Sequence, residues 1–250
     1  MTGESPEDGA GTQGGTSAEG LDPARRAALA QDLLHALAAH CPGSRAEPKG
    51  SLARGTADAY SDIDIVWTVP DDRFDACVGA AGDVLEAVRS LESLRMDPEL
   101  QNSRNRRLLF AAFQGLPLFW RVDLEIVASS VAHVTGYDQD NPAARGDDWS
   151  RPVSALANAV AATKAVLRGQ PRTARGLLER GFRRIDAQDR VTGQWFADIR
   201  RLAEAAADRE PDLRPLAGRV VRLARNHLAG SGEEAPGRWD GRRPGEGPRR

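Results

Sequence analysis

Residues 61–67, Ser-Asp-Ile-Asp-Ile-Val-Trp, constrain the fold more than any other stretch of this chain. Asp62 and Asp64 alternate with Ile63, Ile65 and Trp67, which predicts a β-strand with one covered face and one open face. Both carboxylates then project from the open face, ~7 Å apart along the strand. Like charges at that spacing repel by about 2.5 kcal/mol at an effective dielectric of ~20. Thr, Ser or Lys would make the face soluble without that cost. A divalent cation removes the repulsion, and Mg²⁺ typically takes one or two carboxylates together with substrate phosphates.

A Gly-Ser pair, Gly50 and Ser51, lies a short interval upstream. Glycine lets a backbone approach a bulky ligand closely. Ser51 can open a short helical turn over 51–57, whose first N–H groups suit phosphate. Residues 44–49 are expected as the strand entering this turn. Arg45, Glu47 and Pro48 stand there in place of an apolar run, which predicts a short or irregular edge strand. Together the turn and the strand describe a site for a metal-bound nucleoside triphosphate.

A second charged strand lies further on. In Phe-Trp-Arg-Val-Asp-Leu-Glu-Ile-Val, 119–127, Trp120, Val122, Leu124 and Ile126 face one way, and Arg121, Asp123 and Glu125 the other. With 107–113 it reads as a hairpin around Gln-Gly-Leu-Pro-Leu. Asp123 and Glu125 share a face, so spacing does not choose between them.

Gly50-Ser51, then Arg-Gly-Thr-Ala at 54–57, then Ser-Asp-Ile-Asp-Ile at 61–65, resembles the signature of the DNA polymerase β-like nucleotidyltransferases. In layout the chain is most similar to the antibiotic-modifying members, of aminoglycoside and lincosamide type. The resemblance implies transfer of a nucleoside monophosphate from an NTP, with ATP the expected donor, to a hydroxyl. It implies two Mg²⁺ ions held by Asp62, Asp64 and Asp123, and a triphosphate bound by Gly50, Ser51 and Arg54. It also implies that Asp123 is the base, in a Val-Asp-Leu setting like the family's, with Glu125 as its rival. Some antibiotic-modifying relatives use glutamate in that role. Glu125 then has the reach to pair with Arg121.

The rest of the chain reads as tails and helices. Residues 1–20 have little apolar content and are expected to be disordered, as are the Gly-, Pro- and Arg-rich residues 230–250. Asp22 and Pro23 form an N-cap and first-turn proline for a helix striped by Leu29, Leu33 and Leu37. Residues 72–91 carry Phe74, Val78, Ala81, Leu85 and Val88 at helical spacing. The polar residues 128–150 read as a loop. Four further helices are expected over 152–168, 173–187, 194–208 and 213–229. The expected fold is α+β: a small mixed sheet with flanking helices at 21–135, a linker at 136–150, and an all-α bundle at 151–229. Only two of the 34 basic residues are lysine, Lys49 and Lys164. Lys164 borders the apolar stripe of the first bundle helix. By resemblance to the helical domain of antibiotic nucleotidyltransferases, it is a candidate cation for the triphosphate. Lys49 reads as a surface residue at a strand end.

Several classes are disfavoured. Net charge is −2, so no global basic field draws the chain to nucleic acid. Cys41 and Cys77 make no disulfide framework. His35, His40, His133 and His227 have no zinc spacing. There is no GxxxxGK[ST] loop, no signal peptide and no run long enough to cross a membrane, so the cytoplasm is the expected compartment. Three functions remain: nucleotidyl transfer to a hydroxylated small molecule, such as an antibiotic or a biosynthetic intermediate; transfer to a macromolecule, a tRNA end or a protein hydroxyl of toxin–antitoxin type; or a non-catalytic nucleotide-binding module. The first is favoured by chain length, the helical second half and the modest net charge.

Overall fold

The first helix starts where its capping chemistry places it. Asp22 Oδ1 accepts the Ala24 N–H at 2.8 Å, Pro23 occupies the first turn, and α1 runs Pro23–His40. The computed structural model describes residues 21–188 and 190–228. The segments 1–20 and 230–250, expected as tails, lie outside the described residues. The chain divides into two units between Ser150 and Arg151.

The first unit is built on a five-stranded sheet: β1 (Arg45–Pro48), β2 (Ile63–Val69), β3 (Leu91–Met96), β4 (Arg106–Phe113) and β5 (Val122–Ala128). The spatial order is β1-β2-β5-β4-β3. Only β2 and β5 run parallel; the other neighbours are antiparallel. The expected α+β fold with a mixed sheet is therefore what forms. Burial follows the pleat. Ile63, Ile65, Trp67 and Val69 of β2, and Val122, Leu124 and Ile126 of β5, are at most 1% exposed. They pack beneath α1 and α3 (Phe74–Val88), which contribute Leu33, Leu37, Phe74, Ala81 and Leu85. Each fully buried aliphatic or aromatic side chain contributes roughly 1.5–3 kcal/mol, which fixes both the register and the face that stays open. Cys41 and Cys77 are free and buried in this layer. Burial and the neighbouring Cys41 push the Cys77 thiol up to about 12, so it carries no thiolate near neutral pH.

Several expectations need correction. The segment expected as one helix over 72–91 is a 3₁₀ turn, Asp71–Arg73, followed by α3, which stops at Val88. Arg89 is extended, and Glu86 caps the Leu91 N–H at 2.5 Å. The chain then enters β3, an edge strand that the apolar pattern does not anticipate. None of its residues is buried, and its pairing shifts between Leu91 and Ser93, so no apolar alternation marks it. The second hairpin strand begins at Val122, not Phe119. Phe119 and Trp120 are core residues of the preceding loop, where the Trp120 Nε1–H donates to the Ala59 carbonyl at 3.2 Å. The turn at Gly50 is a four-residue helix, α2 (Gly50–Ala53), shorter than expected.

Residues 136–150, expected as a linker, are fastened within the first unit. Asn102 and Gly146 N–H groups donate to Ala144 and Pro98 carbonyls, each at 2.8 Å. Arg106 Nη1 donates to the Tyr137 carbonyl at 2.8 Å, and Ser103 Oγ to Asp138 Oδ2 at 2.6 Å.

The second unit contains α4 (Arg151–Leu167), α5 (Pro171–Arg184), α6 (Trp195–Arg209) and α7 (Arg214–Leu228). α4 touches each of the other three, and its buried side is small: Ala155, Ala159 and Ala162 beside Leu156. Val160 and Leu167, expected on that stripe, are only partly covered. A helix with three neighbours is held by residues that allow close approach. Gly181 of α5 shows the same constraint, since a Cβ there would lie 2.5 Å from Leu202 Cδ2. Asp198 is fully buried and accepts from the Thr192 and Gly193 N–H groups, the Thr192 hydroxyl and Arg201 Nη2, at 2.6–3.0 Å.

Candidate active site

The open face of the sheet is charged because the pleat leaves it alternate residues. On β2 these include Asp64 and Val66; on β5 they are Asp123 and Glu125. The parallel register places Asp64 opposite Asp123, and Val66 opposite Glu125. Asp62 lies one step before β2. Arg121, just before β5, is tied to it through its carbonyl, which accepts the Ile63 N–H at 2.9 Å.

Gly50 sits directly on this face. At the end of β1 the Lys49 N–H donates to the Asp64 carbonyl at 2.8 Å. Gly50 follows with φ +59°, a conformation that costs an L side chain about 1–2 kcal/mol. Space also demands glycine here. A Cβ would lie 2.3 Å from Asp64 Oδ2 and 3.0 Å from its Cγ. The Asp64 carboxylate therefore fills the cradle that Gly50 leaves, with Ser51 next along the turn. Arg54 closes α2 and is exposed. The loop between α2 and β2 is fixed by a residue that sequence reasoning missed. Buried Arg26 of α1 donates to the Asp58 carbonyl, and Asp58 Oδ1 accepts from the Ser61 hydroxyl at 2.9 Å. The sequence does not separate it from its exposed neighbour Arg25.

The electrostatics separate the carboxylates. Burial pushes the Asp64 carboxyl up from its ordinary value, and the Asp123 charge adds to this; Arg121, Lys49 and Arg54 oppose it. Asp123 is held by both edges of Arg121, with Nε to Oδ1 at 2.6 Å and Nη2 to Oδ2 at 2.7 Å. The same guanidinium lies 3.7 Å from Asp62 Oδ2. Glu125 is paired instead with Lys49 and with Arg106 Nε, the latter at 2.7 Å. Burial alone would raise its carboxyl, but the Lys49 hydrogen bond and Arg106 bring it below its ordinary value. Two expectations change accordingly. Arg121 pairs with Asp123 and not with Glu125, because the two residues are neighbours on one strand face. Lys49, read as a plain surface residue, is exposed yet paired with Glu125 across β2.

The structure thus brings together Gly50, Ser51, Asp62, Asp64, Asp123 and Glu125, with Arg54 within electrostatic reach of Asp64. Lys164 belongs to the second unit, on α4, where it is 7% exposed. The donor set suits a hard divalent cation. It is all carboxylate, and the Asp64–Asp123 repulsion persists in a partly buried setting. Among the described residues no group of three or more His, Cys, Asp or Glu side chains is arranged to hold a metal. No described helix is long and apolar enough to cross a membrane.

No family model matches the chain, and no curated protein matches it. Among solved structures it is similar to a chain titled as the structure of the GLD-2/RNP-8 complex, at 17% identity and a TM-score of 0.35. The match covers 70% of this chain and 62% of that one. A likeness of that strength carries no functional inference.

Proposed function

We propose that the chain is a metal-dependent nucleotidyltransferase that moves a nucleoside monophosphate, with AMP the favoured group, from an NTP to a hydroxyl of a small molecule and releases pyrophosphate. The observation that carries this reading is the seat of Asp64. Its carboxylate lies under the Gly50-Ser51 turn and opposite Asp123 in register, so that turn and two like charges meet at one point, which supports the reading. Asp62, Asp64 and Asp123 would hold Mg²⁺. When bound, it neutralises the triphosphate and the oxygens that enter and leave phosphorus. Ser51 donates its hydroxyl to a phosphate oxygen, and Arg54 adds positive charge to the same side. Asp123 takes the proton from the attacking hydroxyl. Glu125 supports the site by holding Lys49 and Arg106.

A second reading, transfer to a macromolecule, draws on one feature. Arg172, Arg175, Arg180 and Arg183 of α5 are all exposed. A single assay separates the readings: α-labelled NTPs and Mg²⁺ with hydroxylated antibiotics, tRNA or protein, followed by label transfer and pyrophosphate release. Label on a small molecule is expected. Label on tRNA or protein alone would favour the second reading. Equal, background label with wild type and Asp64→Asn in every arm would refute both.

A further inference from the structure

Arg121 has a role that the proposed chemistry does not use. Its guanidinium engages Asp123 through two hydrogen bonds, at 2.6 and 2.7 Å, and lies 3.7 Å from Asp62. Its carbon is 4.7 Å from the centre of the Phe110 ring, so an aromatic face supports the cation where it sits. Phe110 is the β4 partner of Asp123 in register, which makes this support part of the sheet. The arginine is also partly buried, with its side chain 31% exposed. One cation therefore neutralises two of the three carboxylates, and a forked pair of this kind is stronger than a neutral hydrogen bond. Asp64, the third, has no such fork among the ion pairs described.

We propose that Arg121 is a resident counter-cation of the site: a divalent ion must displace it from Asp123 before all three carboxylates can act together. Arg121 is then a positioning residue that works through Asp123 and sets the threshold for metal entry. Asp62 and Asp64 can receive a metal-bound triphosphate while Asp123 is still held, and Asp123 joins only when the fork opens. The inference rests on the metal-dependent reading above.

The test is Mn²⁺ binding to the full chain without nucleotide, followed by electron paramagnetic resonance of the free ion. Wild type is compared with Arg121→Gln, Arg121→Lys, Arg95→Gln and Asp64→Asn. Arg121→Gln should tighten Mn²⁺ by on the order of ten-fold, because the competing fork is gone. Arg121→Lys keeps the charge and loses the fork, so it should fall between wild type and Arg121→Gln. It carries the test if the glutamine variant fails to fold. Arg95 lies over the same ring at 5.6 Å and is the control for long-range charge. Its variant should stay within about two-fold of wild type. Unchanged or weaker Mn²⁺ binding in the folded Arg121 variants would overturn the proposal, as would an equal gain in Arg95→Gln. If Asp64→Asn loses Mn²⁺ while the Arg121 variants match wild type, this inference alone fails. If wild type and Asp64→Asn bind equally, the metal reading fails and takes this inference with it.

Discussion

Replacing Gly50 with alanine isolates the contact on which the site is built. Two costs arise. The backbone at φ +59° disfavours an L residue by about 1–2 kcal/mol. The new Cβ would stand 2.3 Å from Asp64 Oδ2, so the carboxylate must rotate out of its seat. Gly55 supplies the comparison. It has φ +66°, but nothing lies within 4 Å of a Cβ built there. Gly55→Ala should therefore show the backbone cost alone. Gly50→Ala should cost about 1 kcal/mol more, the order of an off-rotamer side chain. A cycle with Asp64→Ala makes this specific: without the carboxylate, Gly50→Ala should fall back to the Gly55→Ala value. The effect on turnover should be larger than on stability, since a shift of about 1 Å in a positioned group can cost on the order of a hundred-fold in rate. Urea denaturation of these variants and the transfer assay measure both. If Gly50→Ala is no worse than Gly55→Ala and keeps its turnover, the seat of Asp64 does not organise the site.

Four other outcomes are expected. Ser51→Ala should weaken NTP binding ten-fold or more, from loss of a hydrogen bond of about 1.5–3 kcal/mol to a charged oxygen, while acceptor affinity holds; calorimetry reads both. Asp64→Asn should abolish transfer yet raise the metal-free melting temperature near pH 7. The folded carboxyl is raised above its unfolded value, so its charge destabilises the fold above the folded pKa, and the asparagine's advantage should vanish as pH falls below 3.8. Asp123→Ala should lose transfer by on the order of a hundred-fold or more, whereas Glu125→Ala should keep more of its rate and lose stability; steady-state rates and thermal unfolding read the two effects. The Glu125 contribution is present above its ordinary value of 4.5 and lost as pH falls through the lowered folded pKa. Asp198→Ala should cost about 3–5 kcal/mol in the second unit, because the Thr192 and Gly193 N–H groups and Arg201 are left without their shared acceptor; thermal unfolding checks it.

The helices are legible in the sequence because their signals are local. Asp22 and Pro23 mark a start, and the four helices of the second unit lie within three residues of the bounds their apolar spacing predicts. β3 is not legible, because none of its residues is buried and their partial cover does not alternate along the strand. The start of β5 is obscured for a related reason. Phe119 and Trp120 are apolar because they fill the core from a loop, and hydrophobicity alone does not distinguish that from a strand.

The site divides along the same line. Gly50, Ser51, Asp62 and Asp64 stand close together in the chain, and local spacing is enough to group them. Asp123 and Glu125 lie far downstream, and alternation puts both on one face, so spacing leaves them equivalent and only the Val-Asp-Leu resemblance favours Asp123. Register separates them. Because β2 and β5 are parallel, with Asp64 opposite Asp123, Glu125 falls one pleat further along, beside Val66. At that position it meets Lys49 from the end of β1 and Arg106 from β4, two cations brought there by strands on either side. A carboxylate held by two cations is a poor proton acceptor, since both favour its charged form. Asp123 faces a different competitor, a single arginine two residues back in the chain. In the proposed scheme that one fork opens to an incoming divalent ion and leaves intact the pairs of Glu125 with Lys49 and Arg106. That asymmetry is what supports the proposal that Asp123 accepts the proton and Glu125 has a supporting role.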